Sequence, residues 1–258
     1  MTDPVLVIVS GIVGLAVGSF LNVAIVRLPA GKSVVAPPSH CPRCGERLRW
    51  VHNIPLVSWI ALRGRCAFCA ARIGAQYPFV EAATAMIWAA NAAFLGPTAE
   101  AARAIVLLSL LLAIAVTDLR HYIIPDELSL GGTVAGVLLA LPPGAPSLPE
   151  SVVGSIVGGG LLWGVAIVGS RVLGREAMGG GDIKLMAMIG AFLGWKGALL
   201  TIFLGALSGT LIFGPIALYA RLSRRPETLV PFGVFLAIGA GLTLYLGEPL
   251  LRWYLGPG

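Results

Sequence analysis

Long apolar stretches, separated by short polar segments, recur from one end of the 258-residue chain to the other. A helix needs about 20 apolar residues to cross a bilayer, and fewer where other helices shield it from lipid. The pattern therefore predicts an all-α, polytopic membrane protein with about eight transmembrane helices. The eight stretches are Val5–Val26, Phe79–Leu95, Ala104–Thr117, Leu128–Leu141, Val152–Val172, Ile183–Gly194, Gly197–Tyr219 and Val230–Leu246.

The order of these stretches predicts three parts. Residues 1–28 form a first transmembrane helix, residues 29–77 form a polar insert, and residues 78–258 form a core of about seven helices. No basic residue precedes the first stretch and no small-residue cleavage site follows it, so we expect a retained helix rather than a signal peptide. Gly205 and Gly209 lie four residues apart inside a helix, a spacing that favours close helix packing.

Composition and charge agree with a membrane protein. The chain is 57% hydrophobic and 12% charged, about half the charged fraction of soluble domains, and its mean hydropathy is +0.89. With eight helices, 15 of the 18 Lys and Arg residues fall on one side of the bilayer. The positive-inside rule makes that side cytoplasmic, with the insert inside and the N-terminus outside. This distribution explains the net charge of +6, so we expect a lipid bilayer and no nucleic acid as partner.

The polar insert carries all four cysteines of the chain, as Cys41, Cys44, Cys66 and Cys69. Two Cys-x-x-Cys pairs with twenty-one residues between them are typical of a four-thiolate zinc site. Disulfides seldom persist in the cytoplasm, so a disulfide or redox pair is the weaker alternative. The sequence predicts a structural zinc with no open coordination position.

Two histidines, His40 and His52, flank the cysteine pairs. Four thiolates already complete a tetrahedral zinc site. We therefore expect both histidines to be surface residues.

Two aspartates lie beside apolar stretches that are short for a membrane helix. Asp118 follows Ala104–Thr117, and Asp182 follows Gly179–Gly181 and precedes Ile183–Gly194. Ionisable groups are costly in a membrane, so such residues suggest a functional site. We expect both carboxylates just inside the cytoplasmic face, in a hydrated cavity walled by protein.

Each aspartate also has a structural alternative. Asp182 has the position of a helix N-cap. Asp118 has the charge to form an ion pair with Arg120 or Lys184. If the two aspartates meet, however, they form a dyad in which one carboxyl stays protonated near neutral pH. The ionised partner then takes a proton from water while the protonated one hydrogen-bonds a carbonyl, which is general acid–base hydrolysis.

Three other polar residues occupy helix positions of interest. Asp126 follows Pro125, where it suits a helix N-cap. Glu81 lies early in the second helix, either as a site residue or as a complement to the helix dipole or to Arg72. Asn22 lies inside the first helix and is expected to hydrogen-bond a neighbouring helix.

In order and spacing, these features resemble the type IV prepilin peptidases, the bifunctional leader peptidase/N-methyltransferases of pilus and type II secretion systems. The departures are Gly180, where many members carry a bulkier residue, and Val234, where relatives often have Pro. The matching segments are Gly18-Ser19-Phe20-Leu21-Asn22-Val23 with Arg27-Leu28-Pro29, Cys41-Pro42-x-Cys44-Gly45, Trp50-x-x-Asn53-Ile54-Pro55-x-x-Ser58-Trp59, the second cysteine pair, Tyr77-Pro78-x-x-Glu81, Asp118 with Ile124-Pro125-Asp126, Gly179-Gly180-Gly181-Asp182-Ile183-Lys184-Leu185, and Pro231-Phe232-Gly233.

The resemblance implies an aspartic peptidase of the bacterial inner membrane with Asp118 and Asp182 as its pair. Its substrates would be prepilins and pseudopilins, whose short basic leader is cut after a Gly at the cytoplasmic face. The family then methylates the new N-terminal residue, often Phe, with S-adenosylmethionine. The zinc-bearing loop belongs to bifunctional members and is reduced in peptidase-only relatives. No soluble-type methyltransferase motif is present, so Glu81 and the loop are the candidates on the cofactor side.

Other functions stay open at this point. A peptidase without methyltransferase activity is the nearest alternative. A transporter would also have intramembrane acids and glycine-rich breaks, although no internal repeat is evident in the sequence. A membrane-tethered zinc ribbon could use its basic loop for nucleic acid, but topology already explains the arginines. Neither of the last two predicts aspartates beside short helices.

Overall fold

The computed structural model describes residues 3–144, 146–222 and 231–255. In these ranges the regular elements are helices, with two isolated antiparallel bridges, His40 to Arg47 and Arg65 to Arg72, and no strands. Two short 3-10 helices, Leu28–Ala30 and Trp50–Asn53, occur before and within the insert. The α-helices are α1 (Pro4–Arg27), α2 (Val57–Ala61), α3 (Gln76–Leu95), α4 (Ala99–His121), α5 (Asp126–Leu139), α6 (Leu148–Leu173), α7 (Gly180–Leu222) and α8 (Phe232–Leu255).

The predicted apolar stretches correspond to these helices. α2, in the insert, is the one α-helix of the described chain that matches none of them, and Val230 lies outside the described residues. Within the described ranges six helices are long and apolar enough to cross a membrane, with α7 counted once. α5, at 14 residues, is shorter than these six. The all-α membrane architecture is confirmed, and the number of eight spans stays a prediction.

α7 is a helical hairpin that turns at Gly194. Gly194 has φ 69° and ψ 178°, a backbone conformation that is essentially restricted to glycine. A Cβ atom added to Gly158 of α6 would lie 2.5 Å from the Met186 carbonyl oxygen and 3.4 Å from Ala198 Cβ. An unbroken helix would separate Met186 from Ala198 by about 18 Å. Residues 180–194 and 195–222 therefore run in opposite directions, and the predicted break between two helices is confirmed.

α4 is longer than its apolar stretch. It extends from Ala99 to His121, because polar residues such as Glu100 and Arg120 continue a helix without adding to hydropathy. Asp118 consequently lies within the last turn of α4. The expectation of a short helix that ends before Asp118 is wrong.

The chain divides into two compact units, one ending at Ala113 and the other beginning at Ile114. In the first unit α1 packs along α3, and the cysteine-bearing insert connects them. Asn22 of α1 is buried and donates a hydrogen bond from Nδ2 to the Tyr77 carbonyl oxygen at 2.9 Å, which confirms its predicted interhelical role. The predicted division into residues 1–28, 29–77 and 78–258 stays a prediction.

In the second unit α6 packs against the first segment of the α7 hairpin and the start of its second segment, and α8 packs against the second segment. Ser151 of α6 donates a hydrogen bond to the Ala191 carbonyl oxygen at 2.6 Å. Thr201 of α7 and Thr243 of α8 are joined by a buried hydrogen bond of 3.1 Å. A Cβ atom added to Gly205 would lie 3.2 Å from the Phe235 carbonyl oxygen, so the predicted packing role of this glycine is confirmed.

Candidate active site and metal centre

Asp118 lies against the N-terminus of α8. Its side chain is buried, and its carboxylate accepts a hydrogen bond from the N–H group of Val234 at 3.3 Å, next to Gly233. The first N–H groups of a helix have no partner within the helix and carry partial positive charge. The N-terminus of α8 thus compensates the unfavourable position of Asp118 at the negative end of its own helix.

The alternative of an ion pair for Asp118 is wrong. In the described ranges, no Lys, Arg or His nitrogen lies within 4.0 Å of its carboxylate. Arg120 is exposed, and Lys184 pairs with Asp126 instead.

Asp182 lies in the first turn of α7, close enough to Asp118 for their carboxylates to interact electrostatically. Because α7 begins at Gly180, Asp182 is the third residue of the helix, and the N-cap alternative is wrong. A carboxylate in this turn also complements the helix dipole. The fold therefore brings together two aspartates that are 64 residues apart in the sequence.

Ile124 packs against the N-termini of both α7 and α8. A Cβ atom added to Gly181 would lie 2.9 Å from Ile124 Cβ, and one added to Gly233 would lie 2.9 Å from Ile124 Cδ1 and 2.8 Å from Asp118 Oδ2. The buried Ile124 side chain is thus in contact with both helices. Sequence reasoning assigned no role to Ile124 or Gly233, although both lie in segments that carry the family resemblance.

Lys184, the fifth residue of α7, and Asp126, the first residue of α5, join these two helices. Lys184 Nζ lies 2.7 Å from both carboxylate oxygens of Asp126. The N-cap position of α5 is occupied by Pro125, and Asp126 is its first residue, so the predicted capping role of Asp126 is wrong. Both side chains are partly exposed, at 39% and 55%. Lys184 follows Asp182 by two residues, so the pair links the segment that carries Asp182 to α5.

The four cysteines of the insert form one cluster. Their Sγ atoms all lie within 4.8 Å of one another, and the Cys41 and Cys69 sulfurs are 3.8 Å apart. A tetrahedron of thiolates at about 2.3 Å from a zinc ion has sulfur–sulfur edges of about 3.8 Å. All four cysteines are free, which argues against the disulfide alternative. The cluster is therefore able to hold a metal ion.

Two equivalent turns build this cluster. In the first turn Cys41 N–H donates to the Glu46 carbonyl and Gly45 N–H donates to the Cys41 carbonyl, both at 2.9 Å. In the second turn the Cys66 N–H donates to the carbonyl five residues later at 2.8 Å, and the Cys66 carbonyl accepts from the N–H four residues later at 3.0 Å. Backbone N–H groups of Cys44 and Arg43 lower the pKa of the Cys41 thiol to about 6, which favours the thiolate that a metal requires.

The histidines near the cluster lie outside it. His40 is exposed, as predicted, with Nδ1 3.0 Å from the Pro38 carbonyl oxygen. His52 is half-buried, with its ring edge-on to Phe68 at 5.3 Å, so its predicted surface position is wrong. Packing on this aromatic neighbour explains the difference.

The fold and these sites define an integral membrane protein with two interacting carboxylates and a four-cysteine cluster able to hold a metal ion. Two family models match it, the Bacterial Peptidase A24 N-terminal domain over residues 12–95 and the Type IV leader peptidase family over residues 105–214. No solved structure matches the chain.

Curated relatives agree with the family models, and each of the following is named Prepilin leader peptidase/N-methyltransferase. The protein of Myxococcus xanthus is 42% identical over 84% of this chain and 64% of its own length, so the chain spans less than two thirds of that relative. Those of Pseudomonas aeruginosa and Aeromonas hydrophila are 39% and 36% identical over 95% and 93% of this chain, and over 91% of each relative. The chain therefore belongs to the type IV leader peptidase family, which confirms the resemblance found in the sequence.

Proposed function

We propose that this protein cleaves the short basic leader from type IV prepilins and pseudopilins and then N-methylates the new N-terminal residue. The observation that carries the proposal is that Asp118 and Asp182 lie near enough for their carboxylates to interact electrostatically, in a member of this family. Both carboxylates lie next to helix N-termini, which supply the hydrogen-bond donors that an acid–base pair needs to stay in place.

In the proposed hydrolysis one aspartate is ionised and the other is protonated. The ionised carboxylate takes a proton from water, and the water oxygen bonds to the carbonyl carbon of the scissile peptide. The protonated carboxyl donates to the carbonyl oxygen. Breaking of the C–N bond then returns a proton to the leaving amine and leaves a carboxyl group on the leader. No covalent enzyme intermediate is formed.

An apolar groove at the start of α8 supports a hydrophobic peptide as substrate. The groove has a volume of about 380 Å³ and lies between the second segment of α7 and the start of α8. Phe232, directly before Gly233, is part of its lining. The other lining residues are Ala206, Gly209, Thr210, Phe213, Gly214 and Phe235. An apolar segment that follows the cut would bury its side chains there.

For the second reaction we propose S-adenosylmethionine, which supplies an electrophilic methyl group on a sulfonium sulfur. The amine nitrogen bonds to the methyl carbon, the carbon–sulfur bond breaks with its electrons left on sulfur, and the amine loses a proton. Glu81 in the first unit is the proposed residue on the cofactor side. Its buried carboxylate fits a cationic group.

We place the protein in the bacterial inner membrane, with the N-terminus outside and the cysteine insert in the cytoplasm. Basic residues in the insert and in the loops on the same side support this orientation. Cleavage would then occur at the cytoplasmic face, where α7 and α8 begin.

The test is an assay on a detergent-solubilised prepilin with labelled S-adenosylmethionine. Cleavage with label on the new N-terminus is the expected result. Cleavage without label would leave a peptidase that does not methylate. If several prepilins stay uncut, the peptidase proposal fails, and ion flux in proteoliposomes would test the transporter alternative.

We expect zinc to occupy the four-cysteine cluster as a structural metal, at about one ion per chain. Cys66→Ser should release the ion and lower the unfolding temperature, because metal binding contributes directly to folding of such a small insert. His40→Ala, next to the cluster but outside it, is the matched control and should keep its zinc. The zinc content of the purified proteins is the measurement. A metal-free wild type with normal folding would contradict the expectation.

Lys184→Met is expected to lower kcat for cleavage by about tenfold, because loss of the pair with Asp126 loosens the turn that carries Asp182. The unfolding free energy should change by less than about 1 kcal/mol, since a partly exposed pair contributes little. Lys196→Met, another lysine of α7, is the control and should cleave normally. The exchange variant Lys184→Asp/Asp126→Lys should recover most of the activity. Wild-type kcat in Lys184→Met would rule out a positioning role.

A further inference from the structure

Glu81 of α3 is a buried carboxylate in the first unit, with 7% of its surface exposed. A Cβ atom added to Gly18 would lie 2.7 Å from Glu81 Cα, so the backbone of α1 covers this position directly. No cationic nitrogen of the described ranges lies within 4.0 Å of the carboxylate, and the predicted pair with Arg72 is wrong. A buried charge without a counter-charge is costly. A cation bound from outside the described part of the chain would offset this cost.

The groups around Glu81 are polar but neutral. Leu56 N–H donates to Glu81 Oε2 at 2.8 Å, and the Ser19 hydroxyl lies near the same carboxylate. Three residues after Ser19, the buried Asn22 accepts a hydrogen bond from Gln76 Nε2 at 3.4 Å. Gln76 Oε1 is buried and has no hydrogen-bond partner among the residues that the structure describes. We call Ser19, Asn22, Gln76 and Glu81 the Glu81 cluster, in which Gln76 Oε1 is an acceptor that no described residue satisfies.

The insert covers the Glu81 cluster through a strained residue. Leu56 has φ 59° and ψ −49°, a conformation that residues with a side chain rarely adopt. Its N–H bond to Glu81 holds it in that conformation. Backbone strain of this kind is concentrated at ligand-binding and switch positions. Movement of Leu56 away from Glu81 would relieve the strain and free the carboxylate for a ligand.

We propose that the Glu81 cluster binds the organic cation of the methyl-transfer step, either a sulfonium or a primary ammonium group. The Glu81 carboxylate is its counter-charge, and Gln76 Oε1 is an additional acceptor. This inference rests on the proposed methyl transfer. One such cation is the sulfonium of S-adenosylmethionine, and the other is the N-terminal ammonium of the cleaved pilin. Either ligand supplies the positive charge that the described part of the chain does not place there.

The experiment uses full-length protein in detergent and a peptide that already begins with a free N-terminal Phe, so methylation needs no prior cleavage. Wild type, Glu81→Gln and the control Glu100→Gln, an exposed acid in the first turn of α4, are compared. Loss of a buried charge partner should weaken binding of the cation by about 100-fold in Glu81→Gln. The control should stay within twofold of wild type.

Two arms distinguish the sources of the cation. A larger Kd for S-adenosylmethionine, with unchanged Kd for the neutral thioether S-adenosylhomocysteine, identifies the sulfonium. A larger KM for the free-amine peptide, with unchanged inhibition by its N-acetyl form, identifies the ammonium. Zinc content reports whether Glu81→Gln is folded. If Glu81→Gln is not folded, binding of the charged and neutral forms of each ligand is compared on wild type alone. For one of the two ligands, the charged form should then bind at least tenfold more tightly than the neutral form.

The inference is overturned if folded Glu81→Gln has a methylation rate, a Kd and a KM that all lie within twofold of the wild-type values. Equal binding of charged and neutral forms by the wild type would also overturn it. A wild type that cleaves prepilin but never methylates the peptide would instead refute the methyl transfer of the proposed function, and this inference with it.

Discussion

Asp118→Asn and Asp182→Asn are each expected to lower kcat for prepilin cleavage by at least about 10³-fold. Asparagine has nearly the shape of aspartate, but it neither accepts a proton from water nor donates an acidic one. Each half of the pair is needed because the two carboxylates have complementary roles in the proposed hydrolysis. In Asp118→Asn the amide oxygen of the new side chain can still accept from the Val234 N–H group, so the fold should be retained.

The measurement is single-turnover cleavage of a detergent-solubilised prepilin by purified variants. Glu127→Gln is the matched control, because Glu127 is an exposed acid in the first turn of α5, directly after Asp126. It should cleave at the wild-type rate. Full activity in either asparagine variant would remove that aspartate from the mechanism. Methylation of a peptide that needs no cleavage should persist in both variants, which separates the two proposed reactions.

Gly190→Ala is expected to destabilise the second unit by at least about 3 kcal/mol. A Cβ atom at residue 190 would lie 2.0 Å from the Gly154 carbonyl oxygen, and one at residue 154 would lie 2.2 Å from the Gly190 carbonyl oxygen. The backbones of α6 and α7 are thus in direct contact, and neither offers a flexible side chain that could move away. The helices must separate, which breaks the packing that positions the start of α7 and Asp182.

Gly160→Ala and Gly164→Ala on α6 are the controls for this effect. A Cβ atom at either position would meet nothing within 4 Å. Alanine is the better helix former, so both variants should be at least as stable as wild type. The three variants are compared by their thermal unfolding in detergent and by their monodisperse fraction in gel filtration. A Gly190→Ala protein as stable as Gly160→Ala would show that α6 and α7 do not pack this closely.

The sequence by itself determined the class of the protein and the chemistry it carries. Apolar stretches of membrane length predicted the helices, because a bilayer leaves a backbone few other ways to satisfy its hydrogen bonds. The Cys-x-x-Cys spacing predicted a compact metal centre, since each pair forms one local turn. Asp118 and Asp182 were singled out because a carboxylate is costly in an apolar stretch. All these signals are local, or depend only on the contrast between water and lipid.

The tertiary structure decided which distant residues meet. It placed Asp182 near Asp118, paired Lys184 with Asp126 rather than with Asp118, and left Glu81 without a cation among the described residues. Such contacts depend on the angle and depth of helix packing. Those follow from many small residues together, such as Gly154 against Gly190, and from the turn at Gly194. Hydropathy does not record these features, because a glycine in a packed interface and one facing lipid are equally apolar.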